Sequence, residues 1–563
     1  MFKKSDPTPQ LDIFNEPTMQ LGSRASKKYT DPLAWHNQFY KLITSKVDET
    51  IFKPLFKPGN MGAPNASIRV LVGMSILKEG FGCSDEDLFE KCEFDLLTRR
   101  ALGLVQLDAA APSIDTYYLF RRRLCEYEAK NEENLMSKCF EQVTGEQVRM
   151  LKISGKAVRM DSKLIGSNIA QYSRYELIVS TLIKFLRQEG NLNLLSSEEQ
   201  KMAASYLKED PSKTVYRSDK DAIFNLLYVI GNFIYGILSH VSADSLAIDL
   251  LQRVFDDQYV VVEKKVELRD KKDISAKSLQ SPDDPDATFR DKNGQKVWGY
   301  STNITETVEE NKPSIITSVQ TEPVTKADCH YLQEAVENSE RVTGDKVEDL
   351  YADGAYQSPD NRKFAKEHDD MRLNICKMQG GFRWDLIPHD EDGLTVVDRK
   401  TGQIYEAAKA VTKQGKHTRW RIPWDNKVGW RYFQDTDLKA YQFRKELESL
   451  PIEQQHKRNN IEAAMFQYSF HTRNGKTRYR GLSKHRLHAF NRCLWMNLRR
   501  IVKYKNTTNQ RPLSGLLGSI RAVWSYFQII LDGFYEELIQ LILSFRDFQN
   551  SRRLQLMSKY ATY

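Results

Sequence analysis

Residues 346–359 read Lys346-Val347-Glu348-Asp349-Leu350-Tyr351-Ala352-Asp353-Gly354-Ala355-Tyr356-Gln357-Ser358-Pro359. Lys346 to Tyr351 predicts a strand that closes on Ala352-Asp353-Gly354, and Ser358 before Pro359 predicts the cap and first position of a helix. Working outward, Ala327–Arg341 predicts a helix, and Ser314–Val319 and Val297–Val308 alternate β-branched with polar residues as two strands. Gly294, in Lys292-Asn293-Gly294-Gln295, marks a turn ahead of them. Further back, Lys156-Ala157-Val158-Arg159-Met160-Asp161-Ser162-Lys163 predicts another strand with Asp161 at its end. Strands alternating with helices imply an α/β class (α+β overall) built on a mixed sheet.

The flanks differ in period. Residues 1–30 are polar, Pro-interrupted and aperiodic, which predicts a flexible arm. From Asp31-Pro32, Trp35, Phe39, Leu42, Ile43, Val47 and Ile51 recur at helical steps. Val70, Leu71, Met74 and Leu77 follow on a second helix, Ser84 with Asp87 reads as a capping box, and Ser113 opens Ile114–Tyr127. Residues 31–145 thus predict an all-helical domain. Residues 172–283 are again mainly helical, an insertion between the strand-bearing segments 150–171 and 284–377, and helical patterning resumes across 440–505. Residues 378–439, broken by Gly380, Gly381, Gly402 and Gly415 and rich in Trp384, Trp420, Trp424 and Trp430, predict a small β-rich insertion. Those tryptophans suit a small β core or stacking on unpaired bases. Helical patterning, with the apolar run Val523–Phe545, fills 506–563.

The chain has 563 residues, 40% hydrophobic and 28% charged, ordinary for a folded protein and far from a disordered or collagen-like one. Its net charge of +8 is unevenly spread: Lys457–Arg511 holds fourteen Lys or Arg and one acid, Glu462. Such a stretch is the footprint of a surface facing phosphates. Seven scattered cysteines with no C-x-x-C pair argue against a disulfide framework or zinc knuckle. No signal-peptide pattern opens the chain, and the longest apolar run, Ile223–Leu238, falls short of the roughly 20 residues a bilayer requires. These features predict a cytoplasmic, nucleoid-associated protein with no membrane contact.

The simplest catalytic templates are missing: no G-x-x-x-x-G-K-[ST], H-E-x-x-H, G-x-S-x-G or post-strand G-x-G-x-x-G. What remains is carboxylates in suggestive places, Asp161 and Asp353 closing strands and Glu462 isolated among bases. Phosphodiester cleavage commonly uses two divalent ions, which activate water and stabilise the leaving oxygen. Mg²⁺ takes hard oxygen ligands, so two or three carboxylates suffice.

Arg159-Met160-Asp161-Ser162-Lys163, Leu350-Tyr351-Ala352-Asp353-Gly354-Ala355-Tyr356 and Arg458-Asn459-Asn460-Ile461-Glu462 resemble the three acid motifs of the DDE transposases of bacterial insertion sequences, the last being the family's R-x-x-x-E. Asp283–Ala287 with Trp298-Gly299-Tyr300, and the tail from Tyr479-Arg480-Gly481-Leu482 to Asn497-Leu498, are similar to further family segments. Residues 68–124 resemble the DNA-binding helices that precede such cores, so the likeness spans about residues 30–505. The family signature also places Tyr three residues before the Arg and a basic residue seven after the Glu; Gln455 and Ser469 stand there in this chain.

The resemblance implies an RNase H-like core in which Asp161, Asp353 and Glu462 hold two Mg²⁺ ions, with Mn²⁺ able to substitute. It implies cleavage at element ends, joining of 3′-hydroxyls to target DNA, and a synaptic homodimer on double-stranded DNA. Acid spacings of 192 and 109 residues accommodate the two insertions. The residues expected to meet DNA are Arg458, Lys163, His471, Arg473, Lys476, Arg478, Arg480 and Lys484, with Arg121, Arg122 and Arg123 on the N-terminal helices. The competing readings are an RNase H-like endonuclease without strand transfer and a catalytically silent DNA-binding regulator.

Overall fold

The structure, a computed structural model, describes residues 2–5, 15–57, 64–241, 245–292, 294–376, 383–389, 393–411, 418–423, 429–448 and 452–509. Trp424 and the expected C-terminal helices beyond Asn509 lie outside the described residues. The chain divides into two compact units, Met1–Val502 and Lys503–Tyr563.

The N-terminal segment is helical: α1 (Pro17–Gln20), α2 (Ser23–Thr30), α3 (Trp35–Phe39), α4 (Ile68–Phe81), α5 (Asp85–Phe94), α6 (Leu96–Leu102), α7 (Ile114–Asn131) and α8 (Leu135–Leu151). The expected caps form. Ser84 and Asp87 cap α5 reciprocally, and the Ser113 side chain accepts from the Thr116 amide at the start of α7. Two expectations change. The single helix expected from Trp35 to Ile51 stops after a π-helical turn at Thr44, and Glu49–Leu55 is a 3₁₀ segment containing Pro54 and capped by Asp48. Residues 17–30, expected within a flexible arm, form α1 and α2. Tyr29 is buried, its carbonyl receiving Asn37 Nδ2 at 2.8 Å, and Ser5 donates to the buried Glu49 carboxylate. These tethers are tertiary, which a local period does not register.

After β1 (Ala157–Gly166), the insertion contributes α9 (Arg174–Arg187), α10 (Ser197–Lys208), α11 (Pro211–Arg217), α12 (Lys220–His240), α13 (Leu246–Gln258) and a ribbon of β2 (Tyr259–Val262) and β3 (Lys265–Leu268). It buries its own core, including Leu182, Phe185, Ile230, Ile234, Leu251 and Val254. Helix α12, 21 residues long with an apolar stretch of mean hydropathy 1.7, is long and apolar enough to cross a membrane by length and composition alone; its Leu227, Ile230, Ile234 and Ile237 pack into this core.

The chain returns as β4 (Thr288–Lys292), β5 (Gln295–Thr307), β6 (Ile316–Pro323), α14 (Leu332–Thr343), β7 (Asp349–Asp353), α15 (Pro359–Glu367) and β8 (Arg372–Cys376). The main sheet runs β4-β5-β1-β7-β8, with β6 also paired to β5. β5 is antiparallel to β1, β4 and β6, while β7 is parallel to both β1 and β8. Gly299 pairs with Gly166; a Cβ on Gly299 would stand 2.5 Å from the Ile165 carbonyl oxygen, so the ladder needs glycine there. The expected β-rich insertion is an antiparallel sheet of β9 (Trp384–Pro388), β10 (Leu394–Asp398), β11 (Ile404–Val411), β12 (Thr418–Pro423) and β13 (Trp430–Gln434). Trp420 belongs to its core, Trp384 packs against that core, and Trp430 is exposed. Helices α16 (Asp435–Glu448), α17 (Ile452–Ser469) and α18 (Leu482–Asn509) follow.

One large core joins the N-terminal helices to the sheet, α17 and α18, through Phe39, Met74, Leu77, Phe140, Ile316, Ile461, Leu494 and Trp495. Gly80 of α4 lies so close to Trp495 that a Cβ would fall 2.4 Å from the indole.

Candidate active site

Strands β1 and β7 pair in parallel from Ala157↔Asp349 to Arg159↔Tyr351. The same offset, two residues beyond the last pair, sets Asp161 level with Asp353. Asp161 is therefore not at a strand end as expected: β1 continues to Gly166, because its other edge stays paired with β5. Only the parallel pairing stops, which opens the sheet beside both acids.

Each carboxylate is held by local backbone. Asp161 Oδ1 accepts from the Ser162 amide at 2.8 Å, and Asp353 Oδ1 caps a 3₁₀ turn by accepting from the Ala355 amide at 2.9 Å. Burial pushes the Asp161 carboxyl up to about 6. The Ser162 amide and Arg458 oppose this, and the negative charges of Asp353 and Asp328 add to it.

Helix α17 packs across β1, β7 and β8. It brings Arg458 Nη2 to 3.3 Å from Asp161 Oδ2 and Nη1 to 3.8 Å from Glu462 Oε1. The guanidinium is mostly buried while Glu462 is 68% exposed, so one cation stands between the first and third acids. Arg458 Nε is buried without a partner in this structure. Among the described residues, no three His, Cys, Asp or Glu side chains gather closely enough to hold a metal ion. In this arrangement Glu462 pairs with Arg458 rather than closing on the aspartates.

Sequence reasoning missed Asp328, which no motif marks. It is 4% exposed, accepts from Ser162 Oγ at 2.9 Å, and lies 3.9 Å from both Arg290 and Lys292. Beneath the acids, Tyr356 donates to Asn303 Oδ1 at 2.7 Å, and Asn303 Nδ2 donates to Gln320 at 2.9 Å. Burial and the surrounding carboxylates hold the Tyr356 phenol well above its ordinary range.

Of the residues expected to meet DNA, Lys163, Arg122, His471, Arg473, Arg478, Arg480 and Lys484 are exposed. Several of these, and the remaining ones, also make contacts within the fold. Lys476 Nζ donates to the Ile169 carbonyl at 2.9 Å, and Arg480 Nε donates to the Asn168 carbonyl at 2.6 Å. Arg478 donates to the Gly82 and Cys83 carbonyls after α4, while His471 Nε2 lies 3.1 Å from the Gly80 carbonyl. Arg121 lies half-buried against the Tyr117 and Tyr479 rings, and Arg123 lies over Phe56. More of the basic stretch is consumed by Arg486 on Glu128 and Glu322, Arg492 on the Glu79 and Gly80 carbonyls, and Arg500 on Glu306. Much of the positive excess over 457–511 therefore fastens α18 and its preceding loop to the N-terminal helices and sheet. It is not all presented to a polyanion.

Glu79 is the hub of that fastening. Burial alone would raise its carboxyl, but His488 Nδ1 at 2.6 Å, the Tyr479 hydroxyl and Arg121 outweigh burial and hold it at about 2. A carboxyl depressed in the folded state stabilises the fold above its ordinary range near 4.5, and the contribution is lost as pH falls towards 2. Its full size is about 3 kcal/mol at ~1.4 kcal/mol per tenfold change in proton affinity. Urea denaturation from pH 6 to pH 3 is expected to show stability falling, and Glu79→Gln is expected to flatten much of that slope; an unaltered slope would refute the role given to Glu79.

A family model described as Transposase domain (DUF772) matches residues 28–123, from the end of α2 to within α7. No curated protein and no solved structure matches the chain. Residues 28–123 are thus similar to a transposase domain, and the helices so matched are those packed in one core with the sheet and α17.

Proposed function

We propose that the chain is a DDE transposase that binds the ends of its element, cuts phosphodiester bonds there and joins the exposed 3′-hydroxyls to target DNA. The observation that carries the reading is the level placement of Asp161 and Asp353 on adjacent parallel strands, with Arg458 and Glu462 on the helix across them. The transposase-domain match on residues 28–123 supports it. The mixed sheet, with β1 parallel to β7 and antiparallel to β5, is compatible with it.

The donor set fits Mg²⁺: hard carboxylate oxygens, with Asp161 raised by burial and by like charges that a cation would relieve. Asp161, Asp353 and Glu462 would hold the ions, which would supply water activation and leaving-group stabilisation. Arg458 contributes a charge that can transfer from the carboxylates to a DNA phosphate, releasing Glu462 towards the aspartates. Two element ends must be held together for joining, which a homodimer would provide.

The test incubates the full chain with a labelled duplex carrying its element's end and a plasmid target, with Mg²⁺ or chelator. Metal-dependent cleavage and joined product are expected, both lost by at least about 100-fold in Glu462→Gln. Cleavage without joining would favour the endonuclease reading, and binding without any cut the regulator.

A further inference from the structure

With much of the expected basic stretch occupied internally, other cations beside the acids become the candidates for holding DNA. From the β4–β5 hairpin, Arg290 and Lys292 both approach Asp328, each at 3.9 Å. That is longer than a hydrogen bond, so neither cation is saturated by the carboxylate. Asp328 is one hydrogen bond from Ser162, whose amide in turn holds Asp161.

Next to Asp328, a groove of about 600 Å³ opens, lined among others by Lys326 and His330 from the loop after β6, and by Arg253 and Lys277 from the helical insertion. Its acid is Asp286, which accepts from the Leu482 amide at 3.2 Å. Arg253 is committed to the Pro285 and Lys277 carbonyls and lies 4.0 Å from Asp257. Lys277 is exposed, and Lys326 Nζ stands 4.7 Å over the Tyr331 ring. Among the described residues neither ammonium is paired with a carboxylate. Counting Arg290, Lys292, Arg253, Lys277 and Lys326 against Asp257, Asp286 and Asp328, the track holds five cations and three acids.

A small anion would call for buried, converging donors, whereas these cations are spread along a groove lined by Ala327, the neighbour of Asp328, which is itself bonded to Ser162 beside Asp161. We infer that this groove carries the phosphate backbone of duplex DNA leading to the acids, with Lys277 and Lys326 contacting phosphates from opposite walls. The inference rests on the transposase reading and places its DNA on a surface built jointly by the insertion and the sheet.

Fluorescence anisotropy of a labelled element-end duplex with the full chain, from 0.05 to 0.3 M KCl, tests it. Each phosphate contact contributes about 0.9 to the slope of log affinity against log salt. Lys277→Gln/Lys326→Gln is therefore expected to lower that slope by about 1.8 and to weaken binding about 60-fold at 0.1 M salt. Lys201→Gln/Lys208→Gln, which removes the same charge from exposed positions on the insertion, is expected to stay within about twofold of wild type. Equal slopes for the two double variants would overturn the groove while leaving the transposase reading intact. Failure of the unaltered chain to bind duplex at all would overturn both.

Discussion

Asp161→Asn is expected to remove Mg²⁺-dependent strand cleavage by at least about 10³-fold, equivalent to roughly 4 kcal/mol of transition-state stabilisation. It should do so without unfolding the protein. Asp161 has one other plausible purpose, as half of a buried ion pair with Arg458, and the two roles predict opposite stability effects. Breaking a needed buried pair costs about 3 to 5 kcal/mol, because the remaining charge is stranded. Here the approach to Arg458 is a single 3.3 Å contact, and burial has pushed the carboxyl up, so its charged form is held at a cost. An amide of the same shape removes that cost, and thermal unfolding of Asp161→Asn should match or exceed wild type. A site strained for function in this way gains stability when it loses activity. A variant that melts several degrees lower and still cleaves would assign Asp161 to structure. Asp353→Asn should reproduce the loss of cleavage, since the two acids sit level across one strand pair.

The elements that set up this site were legible wherever a local signal exists. Ser84 with Asp87, Ser113, and Ser358 before Pro359 mark helix starts that form as expected, because a cap is satisfied within three or four residues. The alternation in Val297–Val308 and Ser314–Val319 likewise became β5 and β6. What the sequence did not disclose is what each charge faces. Arg478 meets carbonyls almost 400 positions away, and Arg486 reaches Glu128 and Glu322. Charge counting over 457–511 therefore does not separate the cations that face solvent from those, such as Arg486 and Arg492, that bond α18 to the N-terminal helices. Asp328 was invisible for the converse reason: a lone acid ahead of a helix looks like a cap, and its bond to Ser162 spans 166 residues. The local run Lys156–Lys163 puts Asp161 near a strand end, whereas the antiparallel partner β5 extends β1 to Gly166.

The same long-range view identifies the network expected to matter most for stability near the site. Arg159, two residues before Asp161, donates to Glu306 Oε1 at 2.6 Å, to the Lys457 carbonyl at 2.9 Å and to Ser314 Oγ at 2.8 Å. Glu306 is fully buried and also receives Arg500 at 2.7 Å. One guanidinium thus ties β1 to the turn of α17 immediately before Arg458. Arg159→Met is expected to cost about 3 kcal/mol, since Glu306 keeps Arg500 and is not left alone. Glu306→Gln should cost more, about 4 kcal/mol, because it leaves a buried and a half-buried guanidinium without a counter-charge. The double variant should cost clearly less than the sum, the signature of a coupled network; additive losses in urea denaturation would dissolve the network. Function supplies the second readout. If Arg159 fixes where α17 lies against β1, then Arg159→Lys, which keeps the charge but cannot make all three contacts, should fold, bind duplex DNA within about threefold of wild type and yet need roughly tenfold more Mg²⁺ for half-maximal cleavage. An unchanged metal requirement in that variant would confine Arg159 to holding the fold.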